Sequence, residues 1–337
     1  MKKHLVSVII PAHNRPDRLR RLLDYYSNTN IDVVVADSSK TIFPYTNDFP
    51  GITYWHFPQE TFLKKIYEIL DKIETPYVFF CADDDFIVPG AVDKIIQFLE
   101  ENPDYSVAQG HYLTFEVHKK NIEFTPRYIR NFDHKITADT ASLRLAQYNN
   151  CYASHLYGVI RTTVFKKMYQ ACINDGQPVF RNLYLAEWYF ILFSLINGKY
   201  ATIPCFYSAR EHIYDSATVA TVPISVVSTA AEYQQEFSAF LEILAAELAK
   251  QDKIPLEEAE NRILQIIRKP KEKSSITLKR KLLLTFETVK SLRLFSGLLR
   301  ARYKQKGLKA TRGMQSYPCT FMTPAKQAII DAINKYR

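Results

Sequence analysis

Glycine is scarce in this chain, with 9 residues among 337. None lies between Pro11 and Pro16, after the first apolar segment, so a glycine-rich phosphate-cradling loop has no place there. The five cysteines stand apart at 81, 151, 172, 205 and 319. No pair has CxxC spacing, which argues against a structural zinc site. An odd, dispersed set without a leader pattern sets the expectation of reduced thiols and a cytoplasmic home. The opening apolar run, Leu5 to Ile10, is too short to span a membrane and has no cleavage-site pattern behind it. It reads as a buried strand. No internal repeat or low-complexity tract is present.

What is present is the composition of a globular protein, 47% hydrophobic and 23% charged. The 22 Tyr and 21 Phe suit stacking on polyhydroxylated ligands and equally suit plain core filling. Charge is unevenly placed. Residues 250–337 hold 21 Lys/Arg against 7 Asp/Glu, so the net charge of +9 resides in a basic tail on a mildly acidic body.

Apolar periodicity predicts an alternation of strands and helices. Strands are expected over 5–10, 31–36, 52–57, 77–81 and 200–207. Helices are expected over 16–27, 60–73, 91–101 and 183–197. Residues 105–180 are less regular. Longer helices are expected over 226–250, 256–268 and 276–304. The pattern predicts an α/β fold with a mostly parallel sheet flanked by helices, in which ligands sit beyond the carboxyl ends of the strands. Three polar clusters fall at such ends: Pro11-Ala12-His13-Asn14-Arg15, Asp37-Ser38-Ser39 and Asp83-Asp84-Asp85.

Three adjacent carboxylates after an apolar run repel one another unless a cation or several donors neutralise them. Hard oxygens favour Mn²⁺ or Mg²⁺, ions that bridge carboxylates to phosphates. If the segment is extended, Asp83 and Asp85 share a face. A solvated turn, or a cap by Asp85 on the following helix, is the competing reading.

The order Val-Ser-Val-Ile-Ile-Pro-Ala-His-Asn-Arg, then Val-Val-Val-Ala-Asp-Ser-Ser, then Tyr-Val-Phe-Phe-Cys-Ala-Asp-Asp-Asp resembles the GT-A fold glycosyltransferases of the family 2 type. The resemblance covers about residues 5–212. It implies a Rossmann-like GT-A domain over 1–222, with a nucleotide-sugar half to about 104 and an acceptor half from about 105. A helical, basic region follows over 223–337. It also implies that Pro11, Ala12, Asn14 and Arg15 line the nucleotide pocket and that Asp37 bonds the base. Asp83 and Asp85 would form the DxD pair for metal and diphosphate, supported by Asp84. Ala186-Glu187-Trp188 resembles the family's Glu-Asp-Trp signature, which makes Glu187 the catalytic base. Tyr207-Ser-Ala-Arg210-Glu-His212 resembles its Tyr-x-x-Arg-x-His ending, with Arg210 toward the phosphates and His212 as a third metal ligand. The implied activity is metal-dependent, inverting transfer from a nucleotide-sugar, UDP-linked, to a glycan or lipid-linked hydroxyl in bacterial surface-polysaccharide assembly.

Local readings compete at several of these positions. Glu187 also suits the positive end of a helix dipole, Asp37 a turn with Ser38-Ser39, and His212 the surface. Surface solvation suits Lys64 and Lys65 better than phosphate contact. His111, Tyr112, His155 and Tyr157 suit packing or acceptor contacts. Ala36 and Ala186 stand where the family usually has an acid, which leaves open a non-catalytic scaffold of the same fold. A nucleotidyltransferase would want the glycine loop that is missing. The basic amphipathic stretch within 268–312 suits an anionic membrane surface or packing on the domain or a second subunit. Nucleic-acid binding is disfavoured for want of a motif or stacking platform.

Overall fold

The computed structural model describes residues 4–118, 121–127, 134–150, 154–212, 224–268 and 322–336. The first half runs β1 (Val6–Ala12), α1 (Pro16–Tyr26), β2 (Asp32–Asp37), β3 (Thr53–His56), α2 (Phe62–Glu68), β4 (Tyr77–Phe80), β5 (Phe86–Ile87) and α3 (Pro89–Glu101). Next come β6 (Tyr105–Val117), β7 (Ile122–Arg127), β8 (Lys135–Ile136), α4 (Ala141–Asn150), β9 (Val159–Arg161) and α5 (Thr162–Ala171). A small hairpin, β10 (Ile173–Asn174) with β11 (Gln177–Pro178), leads to α6 (Leu183–Ile196) and β12 (Lys199–Glu211). Helices α7 (Ile224–Val227), α8 (Gln234–Asp252), α9 (Leu256–Arg268) and α10 (Met322–Lys335) complete the described chain.

The main sheet has the order β3-β2-β1-β4-β9-β6-β12-β5, with β7 on β6 and β8 on β12. Strands β1 to β4 are mutually parallel. β9 is antiparallel to both β4 and β6, so β6 runs in the direction of β1, and β12 runs parallel to β6. The carboxyl ends of β1, β2, β4, β6 and β12 therefore share one edge. Helix α6 packs on β6 with its end beside the start of that strand, where Ser106 donates to the Ser194 carbonyl at 2.8 Å, so the start of α6 lies toward the carboxyl edge.

Local sequence explains the first half. Every residue of β4, and of β1 apart from Pro11, is buried, as strands covered on both faces require. Helix α1 starts on Pro16, whose missing N–H costs nothing in the first turn, and buries Leu19, Leu22, Leu23 and Tyr26. The stretch 60–73 is divided, with α2 ending at Glu68 and a separate 3-10 turn at Leu70–Lys72.

Two further regions differ from the sequence reading. Residues 105–117 form one long strand, because β6 is covered on both faces and buries Ser106, Gln109 and His111 beside its apolar residues, leaving no alternation to read. Gly110 lets β12 approach closely; a Cβ there would lie 2.6 Å from the Tyr207 Cβ. The helix expected over 226–250 is a short α7 followed by α8, which begins only at Gln234. The helix expected over 276–304 lies outside the described residues.

Helix α6 is buried from Leu185 to Ile196 apart from Glu187, so it needs cover on every side. α8 supplies Phe237, Phe240, Leu241, Leu244 and Leu248, and α9 supplies Ala259, Ile263, Ile266 and Ile267, all in one cluster with α6 and the sheet. Asp252 accepts from the N–H groups of Ala141 and Ser142 at the start of α4, both at 2.8 Å. α10 joins the opposite face, packing Ile329, Ala332 and Ile333 with the α1 residues Leu19, Leu22 and Leu23. Lys335 there meets Asp24 at 2.7 Å.

Candidate active site

The turn after β1 is organised by short polar side chains. Asn14 has a φ of 53°, a left-handed conformation that Asn tolerates better than most residues. Its N–H donates to Ser39 Oγ at 2.7 Å, and its Oδ1 accepts from the Lys40 N–H at 3.1 Å. Asp37 is buried, and its Oδ1 accepts from the Ser39 N–H at 2.8 Å and the Ser39 hydroxyl at 2.5 Å. Its Oδ2 accepts from Tyr54 at 2.8 Å. Asp37 thus shapes the turn between β2 and the pocket wall. Pro11 and Ala12 end β1 alongside Ala36 and Asp37 of β2.

Lys65 overturns the surface reading. It is 3% exposed, and its Nζ donates to the Ala12 carbonyl at 2.7 Å and to Ser38 Oγ at 3.0 Å, pinning the ends of β1 and β2. Burial lowers its pKa to about 8, against the pull of Asp37 and Asp83. Lys64 instead pairs with Glu68 at 2.5 Å.

The acidic triplet is a tight turn, closed by the Asp85 N–H to the Ala82 carbonyl at 3.0 Å. Asp83, Asp84 and Asp85 are 4%, 8% and 4% exposed. The extended geometry expected from alternation does not hold, because residues 83 and 84 are turn residues. Asp83 and Asp84 face Arg15 of the β1 turn, at 3.4 and 2.8 Å. Asp85 faces β12, accepting from Arg210 Nε at 3.1 Å and the Glu211 N–H at 2.9 Å. Nor does Asp85 cap α3, whose N-cap is Val88.

Burial raises Asp83 to about 6; Asp84 pushes the same way, and Arg15 and the His13 N–H pull it back. Burial likewise raises Asp85, to about 7, against Arg210. Both carboxylates are pushed toward the neutral acid by burial, and their arginine partners oppose that push.

Arg210 lies with its guanidinium 4.9 Å from the Tyr157 ring centroid, and Tyr207 donates to the Tyr157 carbonyl at 2.5 Å. His212 places Nδ1 3.9 Å from Glu116 Oε1. Among the described residues no three His, Cys, Asp or Glu side chains gather to hold a metal ion, so Asp83, Asp85 and His212 are not assembled as a set. The reason is visible in the pairing: Asp85 is turned to β12 and Asp83 to the β1 turn.

Glu187 lies in the second turn of α6, at the same edge of the sheet. Asn182 caps that helix, accepting from the N–H groups of Tyr184 and Leu185 at 3.0 Å each. Ser154 Oγ donates to Glu187 at 2.6 Å, and Gln109 Nε2 donates to the Ser154 carbonyl at 3.2 Å. His111, Tyr112 and His155 are buried; His155 stacks on Tyr200 at 4.7 Å between centroids.

Sequence reading missed Arg18, Arg21, Ser154 and Glu211, and assigned Lys65 to the solvated surface. A signal existed for two of them: Arg15, Arg18 and Arg21 recur every third residue along α1, a helical stripe of cations.

The sequence matches glycosyl transferase family 2 over residues 7–168. Among solved structures, that of S. aureus TarS 1-349 is 15% identical with a TM-score of 0.51, covering 98% of this chain and 89% of that one. Its complex with UDP-GlcNAc gives 13% identity and a TM-score of 0.52, covering 98% and 90%. A longer S. aureus TarS chain aligns with a TM-score of 0.47, and this chain spans 42% of it. Among curated proteins, none matches.

Proposed function

We propose that this chain, which matches glycosyl transferase family 2 over residues 7–168, is a glycosyltransferase on a GT-A fold that moves a sugar from a UDP-linked donor to an acceptor hydroxyl, with inversion. One observation carries the reading. The buried acidic turn, its arginines and Glu187 all stand at the carboxyl edge of one sheet, where α/β folds hold ligands.

In this reading Pro11, Ala12, Asn14 and Arg15 line the nucleotide pocket, and Asp37 holds its wall in shape. Lys65 lies behind that wall and adds positive charge. Asp84 keeps Arg15 in place. Glu187 takes the proton from the acceptor hydroxyl as it attacks the anomeric carbon. One carboxylate base acting without a second, nucleophilic carboxylate gives inversion. Arg210 offsets the charge that grows on the departing diphosphate.

The donor chemistry at Asp83 and Asp85 suits a hard divalent cation, since both offer buried carboxylate oxygens. They would hold Mn²⁺ or Mg²⁺. When bound, such an ion neutralises diphosphate charge as a Lewis acid. The acceptor is a glycan or lipid-linked hydroxyl in surface-polysaccharide assembly, reached from the cytoplasmic side. Among the described residues no helix is long and apolar enough to cross a membrane. Peripheral contact through 268–312 belongs to residues outside the described ones.

A thermal-shift screen of nucleotide-sugars with MnCl₂ tests the reading. A matched donor at 100 times its Kd stabilises by about 2.7 kcal/mol. No shift with any nucleotide-sugar, and no hydrolysis, removes the proposed donor class.

Lys65 gives a pH-dependent test. Its charge favours an anionic donor and is lost as pH rises through about 8. UDP affinity should therefore be level below pH 8 and decline above it. Lys65→Met should bind roughly tenfold more weakly at pH 7, equivalent to about 1.4 kcal/mol, with no alkaline decline. Titration calorimetry reads both, and an alkaline decline that survives in Lys65→Met assigns the effect to another group.

A further inference from the structure

Glu211 stands between Arg210 and His212, and its side chain is 12% exposed. Its carboxylate faces away from Asp85, toward α1. Oε1 accepts from Arg18 Nη2 at 3.2 Å and Oε2 from Arg21 Nη2 at 2.9 Å. Each oxygen thus holds one guanidinium. Arg21 is itself buried, donates to the Asp84 carbonyl at 3.2 Å and lies 5.0 Å from the Phe86 ring centroid. Arg18 reaches Asp84 Oδ2 at 3.8 Å. The backbone of Glu211 works in the other direction, since its N–H donates to Asp85 Oδ1.

One residue therefore ties three elements together: α1 through its carboxylate, the acidic turn through its N–H, and β6 through its register with Phe115. The charges cannot be considered singly. A buried ion pair that loses one member leaves an uncompensated charge, which costs more than the pair gains. Without the Glu211 carboxylate, the oxygens left to Arg18 and Arg21 belong to Asp84. Asp84 otherwise holds Arg15 in the turn that precedes Asp85, the partner of Arg210.

We propose that Glu211, gripped by Arg18 and Arg21, is a positioning residue that sets Arg210 and the Asp85 carboxylate for the donor diphosphate. The proposal rests on the reading above, in which Arg210 and Asp85 serve the diphosphate. Neither Glu211 nor its two arginines touches the donor in this scheme. Their effect reaches it through the last three residues of β12.

A double-mutant cycle separates positioning from general support of the fold. UDP binding with MnCl₂ is measured by calorimetry for the unaltered protein, Glu211→Gln, Arg210→Ala and the double variant. Glu211→Gln keeps the size of the side chain and removes its charge. It should weaken UDP about tenfold in the unaltered background and less than twofold when Arg210 is already Ala. Equal losses in both backgrounds, or no loss in either, overturn the clamp. Should Arg210→Ala bind UDP as tightly as the unaltered protein, the assigned role of Arg210 fails, and the clamp fails with it. That result is distinct from an additive cycle, which leaves Arg210 in its role. If Glu211→Gln does not fold, Arg18→Met takes its place on the more exposed side of the same carboxylate, with the same expected coupling.

Discussion

Glu187→Gln should lower turnover by roughly 10² to 10⁴-fold, the range of general-base catalysis, while UDP affinity stays within about twofold. The two effects separate because of where Glu187 sits. It belongs to α6, held by its Asn182 cap and by Ser154, whereas the turns at Asn14, Asp37 and Asp83–Asp85 belong to the other half of the sheet. Gln keeps the length of Glu and an oxygen for the Ser154 hydroxyl, so the helix start should not move. It cannot accept the acceptor's proton. Turnover is read as UDP release in the presence of acceptor, and binding by calorimetry. Retention of more than a tenth of the turnover would assign the base elsewhere. A parallel loss of UDP affinity would mean that Glu187 shapes the donor pocket instead.

Asp85→Asn should move activity and stability in opposite directions. Asp85 is the carboxylate most strongly pushed toward its neutral form, by burial first and Asp84 after it, with Arg210 opposing. Its folded value, about 7, lies above the ordinary carboxylate range. The folded state therefore holds this proton more tightly than the unfolded chain does. The stability it contributes is full below the ordinary carboxylate value and is lost as pH rises through about 7. Asn cannot ionise, so the variant escapes that loss. The ligand-free Asp85→Asn protein should melt a few degrees higher than the unaltered one at pH 8, and the gap should close toward pH 5. Each 1 kcal/mol corresponds to roughly 2–4 °C for a domain of this size class. Turnover at pH 8 should fall roughly 10²-fold or more, the cost of removing one electrostatic group from a reacting centre. A lower melting temperature at pH 8 would contradict the burial argument. Turnover within threefold of the unaltered protein would remove Asp85 from the site. A site that is less stable than its neutral substitute is a common mark of function.

The first half of the fold was legible because its signals are local. Pro16, the stripe Leu19-Leu22-Leu23-Tyr26 and the apolar runs of β1, β2 and β4 specify their own elements without reference to the rest of the chain. Strand β6 was not legible, since burial on both faces removes alternation. The extent of β12 was partly hidden for a related reason. Its last residues are ionic, and they belong to the strand only because β6 and the acidic turn pair with them.

The candidate site divides in the same way. Asp83, Asp84, Asp85, Glu187 and Arg210 were visible as residue types at the ends of periodic segments. Lys65 was not: it sits between Leu63 and Ile66 on the buried face of α2, and a lone lysine in such a stripe reads as solvated until its carbonyl and hydroxyl partners appear.

Sequence by itself determined the order of strands and helices to residue 101 apart from the short β5, the sheet edge where polar residues collect, and the excess of carboxylates after β4. Those follow from side-chain periodicity and from the direction in which an α/β chain must run. Tertiary structure alone decided that Asp85 looks to β12 while Asp83 and Asp84 look to Arg15. It alone turned the arginine stripe of α1 into partners for Glu211. Charges distant in sequence choose partners by which elements the core brings together, and burial makes that choice costly to reverse.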